Sequence, residues 1–106
     1  MIYSVVAIAK LLQLDIDFDQ TVCFIVSSQN QDGGFGLSQF SESHGGATYC
    51  AVNTLFMTDS LSKIDRSNLI RWLVNRQIEV EGHCGFQGRI NKFPDSCYSF
   101  WIGSSL

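Results

Sequence analysis

Tyr49-Cys50-Ala51-Val52 has an echo on each side: Tyr3-Ser4-Val5-Val6, 46 residues earlier, and Tyr98-Ser99-Phe100-Trp101, 49 residues later. Two glycine-rich stretches lie between the copies in matching phase, Gln29-Asn30-Gln31-Asp32-Gly33-Gly34-Phe35-Gly36 and Gln77 through Gly85-Phe86-Gln87-Gly88. A period in the high forties predicts one helix hairpin per repeat. Within each repeat the two helices differ in kind. Leu69, Ile70, Leu73 and Val74 form a one-sided apolar stripe opposite Arg66, Asn68, Arg71 and Asn75, with Asp65 placed to cap the start. Phe18, Val22, Ile25 and Val26 repeat the stripe, and Asp17 with Gln20 has capping-box spacing. By contrast, 2–12 and 47–56 are apolar nearly all round, which predicts helices buried on most sides.

An amphipathic outer helix alternating with an apolar inner one predicts an all-α chain. Its hairpins stack into part of an α/α toroid, an incomplete barrel of the α6-α6 type. Residues 1–106 form a single unit of about two and a half hairpins, with loops over 30–46 and 78–94 and no sheet. Terminal repeats ordinarily present a polar capping face. Here the outermost apolar helices carry Tyr3 and Trp101, so the sequence reads as a slice of a larger protein.

The composition agrees. Of 106 residues, 45% are apolar and only 16% charged, against about 25% charged in an ordinary domain. Such a chain is no disordered tail. Seven basic against ten acidic residues give a net charge of −3, without a basic field for nucleic acid or anionic lipid. The longest uninterrupted apolar run, Val5 to Ala9, ends at Lys10 and is far short of the roughly 20 residues of a membrane span. The start lacks the features of a secretory signal. Cys23, Cys50, Cys84 and Cys97 show no paired spacing, which suits reduced thiols in a cytoplasmic protein.

Polar chemistry gathers just before two inner helices, in Glu42-Ser43-His44-Gly45-Gly46 and in Gly88-Arg89-Ile90-Asn91-Lys92-Phe93-Pro94-Asp95-Ser96-Cys97-Tyr98. A helix N-terminus offers free N–H groups and a positive dipole end, both suited to an anion. His44, Arg89 and Lys92 would add a cationic rim to a cavity walled by Tyr, Cys and Trp, a combination suited to an amphiphile such as an isoprenoid diphosphate. Asp95 and Cys97 could ligate zinc. Two positions about 200° apart on a helix can share a metal only if Asp95 precedes the regular turns, as Pro94 favours. Each residue also has a plainer reading. Asp95 caps a helix and Cys97 fills a small buried space; His44 belongs to a turn; Arg89 and Lys92 are solvated charges; Tyr3, Tyr49 and Trp101 are core. His83-Cys84 reads as loop.

These segments resemble the β subunits of the protein prenyltransferases. Gly88-Arg89-x-Asn91-Lys92-x-x-Asp95-x-Cys97-Tyr98-Ser99-Phe100-Trp101 matches the family pattern at ten of fourteen positions, and the repeat phase extends the likeness along the chain. Glu42-Ser43-His44-Gly45-Gly46, Tyr98-Ser99-Phe100-Trp101 and Ile102-Gly103-Ser104-Ser105-Leu106 look most like the β subunit of geranylgeranyltransferase type I. The resemblance implies S-alkylation of a C-terminal CaaX cysteine by geranylgeranyl diphosphate, in a heterodimer with an α subunit. It implies catalytic roles for His44, Arg89, Lys92 and Tyr98 at the diphosphate, where Gly45 and Gly46 also lie. Tyr3, Cys50 and Trp101 would line the isoprenoid channel, and Asp95 and Cys97 would be two of three zinc ligands. The chain departs from the family in lacking the third ligand, a His of a later hairpin, and the Arg that relatives carry just ahead of the Tyr3 position. A farnesyltransferase β subunit and an inactive product retaining only α-subunit contacts are the alternatives. Another α/α toroid, of the terpene-cyclase or thioester-protein kind, explains neither Asp95-x-Cys97 nor Arg89 together with Lys92.

Overall fold

The structure, a computed structural model, describes residues 2–106. Five helices carry the fold: α1 (Ile2–Leu11), α2 (Asp19–Ser27), α3 (Gly45–Met57), α4 (Arg66–Val74) and α5 (Ser96–Gly103). A single 3-10 turn, Leu61–Lys63, leads into α4. The apolar helices α1, α3 and α5 pack side by side in that order, and α2 lies against α3. This is the inner-and-outer arrangement of a toroid segment. The core is the layer between the two rows. Val22 and Ile25 of α2, Val52 and Leu55 of α3, Leu69, Trp72 and Leu73 of α4, and Ile102 of α5 all converge there. Of the stripe expected on α4, Leu69 and Leu73 face this layer together with Trp72, whereas Ile70 and Val74 are exposed.

The inner helices are less covered than their all-round apolar surface predicts. In α1 only Val6 and Ala9 are buried, while Val5, Ile8 and Leu11 are exposed. In α5 only Ile102 is buried, and Phe56 on α3 and Phe100 on α5 are exposed. An inner helix of a toroid has neighbours on both flanks, and the described residues supply α1 and α5 with one inner neighbour each, α3.

The expectation of no sheet needs correction. Gln77–Val80 (β1) and His83–Phe86 (β2) form an antiparallel hairpin inside the predicted loop. Glu81 and Gly82 both have positive φ, 51° and 75°, as a two-residue hairpin turn of right-handed twist requires. The Glu-Gly pair, flanked by Gln77-Ile78-Glu79-Val80 with its apolar residues at alternate positions, was the available signal. His83 and Cys84 therefore lie on a strand, not in a loop. The earlier glycine-rich stretch, 29–36, forms only one bridge, between Gln29 and Phe35. Gln77 pairs with Phe86 in the same way, so both loops close on a Gln–Phe pair and the second one extends it into a ladder.

The caps revise the repeat phase. His44 is the N-cap of α3 and Asp95 the N-cap of α5, 51 residues apart, and each accepts a hydrogen bond from the N–H two residues on. The N–H of His44 donates to the Phe35 carbonyl (2.9 Å), and that of Asp95 to the Phe86 carbonyl (3.1 Å). Structural equivalence thus runs at 51 rather than 49, and Tyr98 occupies the place of Ala47, not of Tyr49. Asp65 caps α4 as predicted, through Asn68. The box proposed for Asp17 and Gln20 does not form. Phe18 is the N-cap of α2, and Asp17 Oδ1 accepts from Asp19 N at 2.8 Å.

Candidate functional site

A cavity of about 600 Å³ opens between α1, α2, α3 and the start of the loop after Phe35, with Tyr3, Phe24, Cys50, Trp101, His44 and Gly46 in its lining. Three of these were expected as isoprenoid wall: Tyr3, Cys50 and Trp101. Their positions are set by packing between inner helices. Tyr49 touches Tyr3 on one side (ring centroids 5.6 Å apart) and Trp101 on the other (4.9 Å), both edge-on. Burial pushes the Cys50 thiol above its ordinary value, which keeps it protonated and suits a wall rather than a nucleophile.

His44 stands where this apolar cavity meets the N-terminus of α3. Its Nδ1 accepts from the Gly46 N–H at 3.1 Å, so the neutral ring carries its proton on Nε2. That nitrogen lies 3.0 Å from Tyr98 Oη and donates to it. The phenol keeps its own proton for another acceptor. Burial, and then the nearby Arg89 charge, hold His44 below the usual imidazole value of 6.5. His44 is therefore a neutral donor at neutral pH rather than part of a cationic rim, and it is an N-cap rather than a plain turn residue.

A pH dependence follows from this arrangement. Folded His44 takes up a proton at lower pH than its unfolded counterpart, so its contribution to stability is complete above pH 6.5 and declines as pH falls below that value. Protonating Nδ1 also removes the acceptor that caps α3. Between about pH 7 and pH 5 the urea midpoint of the full chain should fall. His44→Asn, which keeps a capping oxygen but does not titrate in this range, should flatten that dependence. Equal slopes in the two proteins would exclude His44 as the group responsible.

Two other N-terminal features differ from expectation. The Gly45 N–H donates to the Gly88 carbonyl (2.7 Å) and the Gly46 N–H to His44, so neither is free to meet an anion. Arg89 is exposed and paired through Nη1 with Glu42 Oε2 at 3.1 Å. Such a surface pair contributes little and exchanges readily for a stronger anion. The structure thus brings His44, Tyr98 and Arg89 together. Lys92 lines a different cavity, of about 500 Å³, beside β1 with Arg76 and Gln87. Sequence reasoning missed Gln87, which is buried. With its amide turned to suit its neighbours, Nε2 donates to the Arg89 carbonyl (3.0 Å) and the Lys92 carbonyl (3.2 Å), bracing the loop that carries both cations.

Asp95 has extended backbone angles (φ −138°, ψ 139°), outside the regular turns as sharing a metal requires. Its Oδ1 accepts from the Cys97 N–H at 2.9 Å. That bond, followed by one from the Cys97 thiol, holds the Asp95 carboxyl below the usual range, while the same carboxylate raises the thiol. Asp95 is therefore both a cap and a neighbour of the sulfur. Cys97 is exposed, which excludes the alternative of a small buried filler. A carboxylate and a thiol meeting at one exposed point form a donor pair suited to zinc. No group of three or more candidate ligands gathers among the described residues.

All four cysteines are free. No helix among the described residues is long and apolar enough to cross a membrane.

Stacked pairs of inner and outer helices, with an apolar cavity beside the N-terminus of an inner helix, define a segment of an α/α toroid. The chain belongs to the prenyltransferase alpha-alpha toroid domain family, whose profile matches residues 1–106. It is 42% identical over 118 residues to the geranylgeranyl transferase type-1 subunit beta of Arabidopsis thaliana, covering 99% of this chain and 31% of the relative. It is 38% identical over 106 residues to the protein farnesyltransferase subunit beta of Pisum sativum, covering 98% and 25% respectively. Among solved structures, Candida albicans protein geranylgeranyltransferase-I complexed with GGPP superimposes with a TM-score of 0.87 at 32% identity, over 98% of this chain and 32% of that one. The chain spans about a third or less of the length of these relatives.

Proposed function

We propose that this chain carries the diphosphate-binding wall and two zinc ligands of the β subunit of a protein geranylgeranyltransferase type I. That enzyme would be a cytoplasmic heterodimer with an α subunit, transferring geranylgeranyl from its diphosphate to the cysteine of a CaaX terminus. One observation carries the reading: neutral His44 donates to Tyr98, next to an apolar cavity between inner helices. The cavity walls of Tyr3, Cys50 and Trp101 would take the isoprenoid. The Tyr98 O–H, released from donating to His44, would hydrogen-bond a phosphate oxygen. Arg89 would leave Glu42 for the diphosphate, and Lys92 on the same braced loop would approach it from the other side. Together these donors would stabilise charge accumulating on the departing group. Asp95 and Cys97 would hold the zinc, whose contribution when bound is a lowered pKa for a coordinated substrate thiol. The type-1 relatives, and Glu42-Ser43-His44-Gly45-Gly46 with Tyr98-Ser99-Phe100-Trp101, support geranylgeranyl over farnesyl.

Tyr98→Phe tests this reading. A hydrogen bond to a charged group is worth about 1.5 kcal/mol or more, so geranylgeranyl diphosphate should bind about tenfold more weakly. Geranylgeraniol, which has no diphosphate, should bind unchanged. Titration calorimetry with both ligands, and with farnesyl diphosphate as competitor, measures each arm. Unchanged diphosphate affinity, or an equal loss for the alcohol, would overturn the assignment of Tyr98.

A further inference from the structure

We propose that Gly88 is a positioning residue, whose missing side chain lets the Tyr98 ring lie against the loop and reach His44. A Cβ built on Gly88 would overlap Tyr98 Cζ and stand 2.5 Å from both Cε1 and Oη. Real Cβ atoms do not approach so closely. The Gly88 backbone does not itself call for glycine, since the glycines of positive φ are Gly33 and Gly82. Space for the phenol is the constraint. Gly45 forms the other half of the seat, for a Cβ there would lie 3.0 Å from Tyr98 Cδ1 and 2.9 Å from Ile102 Cδ1. The two glycines are tied together by the 2.7 Å hydrogen bond from Gly45 N–H to the Gly88 carbonyl. Buried Gln87, between the end of β2 and Gly88, fixes the chain there, its own N–H donating to the Arg76 carbonyl at 2.9 Å.

The clash falls on the outer end of a half-buried side chain rather than on backbone. Alanine at 88 should therefore leave the helices in place and swing the phenol aside. The bond that breaks is Nε2–H of His44 to Tyr98 Oη, 3.0 Å long in the native arrangement. Gly88 thus touches no substrate in this scheme and acts through Tyr98. Its effect on ligand binding rests on the diphosphate role proposed for Tyr98, whereas its effect on the His44–Tyr98 pair does not.

The test uses Gly88→Ala, Tyr98→Phe, Tyr98→Ala and the double variant Gly88→Ala/Tyr98→Ala, all in the full chain. At one fixed pH, nitrogen NMR of His44 reads the Nε2–H hydrogen bond, and calorimetry with geranylgeranyl diphosphate reads affinity. Gly88→Ala is expected to reproduce the His44 spectrum of Tyr98→Phe and to weaken binding about tenfold, as loss of the Tyr98 bond does. In the Tyr98→Ala background, where the space is already vacated, the same substitution should change neither readout. Should Gly88→Ala alone fail to fold, a folded double variant matching Tyr98→Ala supports the inference equally. If the His44–Tyr98 bond is lost but affinity is unchanged in both Gly88→Ala and Tyr98→Phe, the positioning role stands and the diphosphate role of Tyr98 falls. A native His44 spectrum in Gly88→Ala overturns the inference. So does an undiminished effect of the substitution in the Tyr98→Ala background, or a double variant that does not fold.

Discussion

Phe35→Ala should destabilise the full chain by about 3–5 kcal/mol, the usual cost of emptying a buried phenylalanine site. Small domains have only about 5–15 kcal/mol in all, and each kcal/mol moves the melting temperature of a domain this size by roughly 4–8 °C. A fall of at least about 12 °C is expected. Phe35 is 1% exposed and belongs to the cluster that includes Val22, Ile25, Leu55, Trp72 and Leu73. Its main chain is held as firmly as its ring. The Phe35 N–H donates to Thr48 Oγ1 at 3.0 Å, and the Phe35 carbonyl accepts from His44 N–H. A shift of Phe35 is therefore passed to the N-cap of α3, so diphosphate affinity should fall as well. Phe24→Ala is the control, because Phe24 is 46% exposed and has less burial to lose. Thermal melts followed by circular dichroism decide the matter. A loss below about 1 kcal/mol for Phe35→Ala would show that the loop packs differently.

The second large effect concerns zinc. In the assembled β subunit, Cys97→Ala should abolish zinc retention and the thiolate chemistry that depends on it, while geranylgeranyl diphosphate still binds through Tyr98 and the cations. Among the described residues no third candidate ligand joins Asp95 and Cys97, so the 106-residue chain by itself should hold zinc weakly, as a catalytic site usually has three protein ligands. Zinc titration with a metal-release assay on both proteins measures this. Tight zinc in the 106-residue chain that survives Cys97→Ala would point to other ligands, such as His83 with Cys84, and would remove Asp95 and Cys97 from the metal site. The native pair also predicts a proton release on binding. Asp95 raises the Cys97 thiol, so the metal must displace that proton to gain a thiolate.

Much of this was legible in residue order because it depends on neighbours in the chain. The Asp65 cap of α4 follows from a contact three residues on, and Leu69 and Leu73, four apart, share the buried face of that helix, although Ile70 and Val74 beside them are exposed. Asp95 could be placed ahead of α5 because Pro94 precedes it, and the cap forms within two residues. The β1–β2 hairpin is equally local, written in Glu81-Gly82, but its signal lies within a glycine-containing stretch whose composition also suits a loop. Asp17 looked like half of a capping box, yet the helix starts one residue later and its carboxylate turns to Asp19.

The site is different, because its contacts join residues far apart in the chain. The aromatic markers at 3, 49 and 98 announced a repeat, but a shared period tolerates a shift of two positions. Only the caps, each tied by its N–H to the carbonyl of a phenylalanine 51 residues from its counterpart, Phe35 or Phe86, set the equivalence at 51. Tyr98 meets His44 across 54 residues, and whether it can do so depends on room above Gly88 and Gly45. Arg89 joined Glu42 across 47 residues, while Lys92, three positions further on, faced another cavity. Residue order determined the helices, their inner and outer faces and the chemical types at each helix start, since those depend on local propensity and period. Tertiary structure alone decided which donors share one point and which proton His44 carries, because burial and distance between loops are properties of packing.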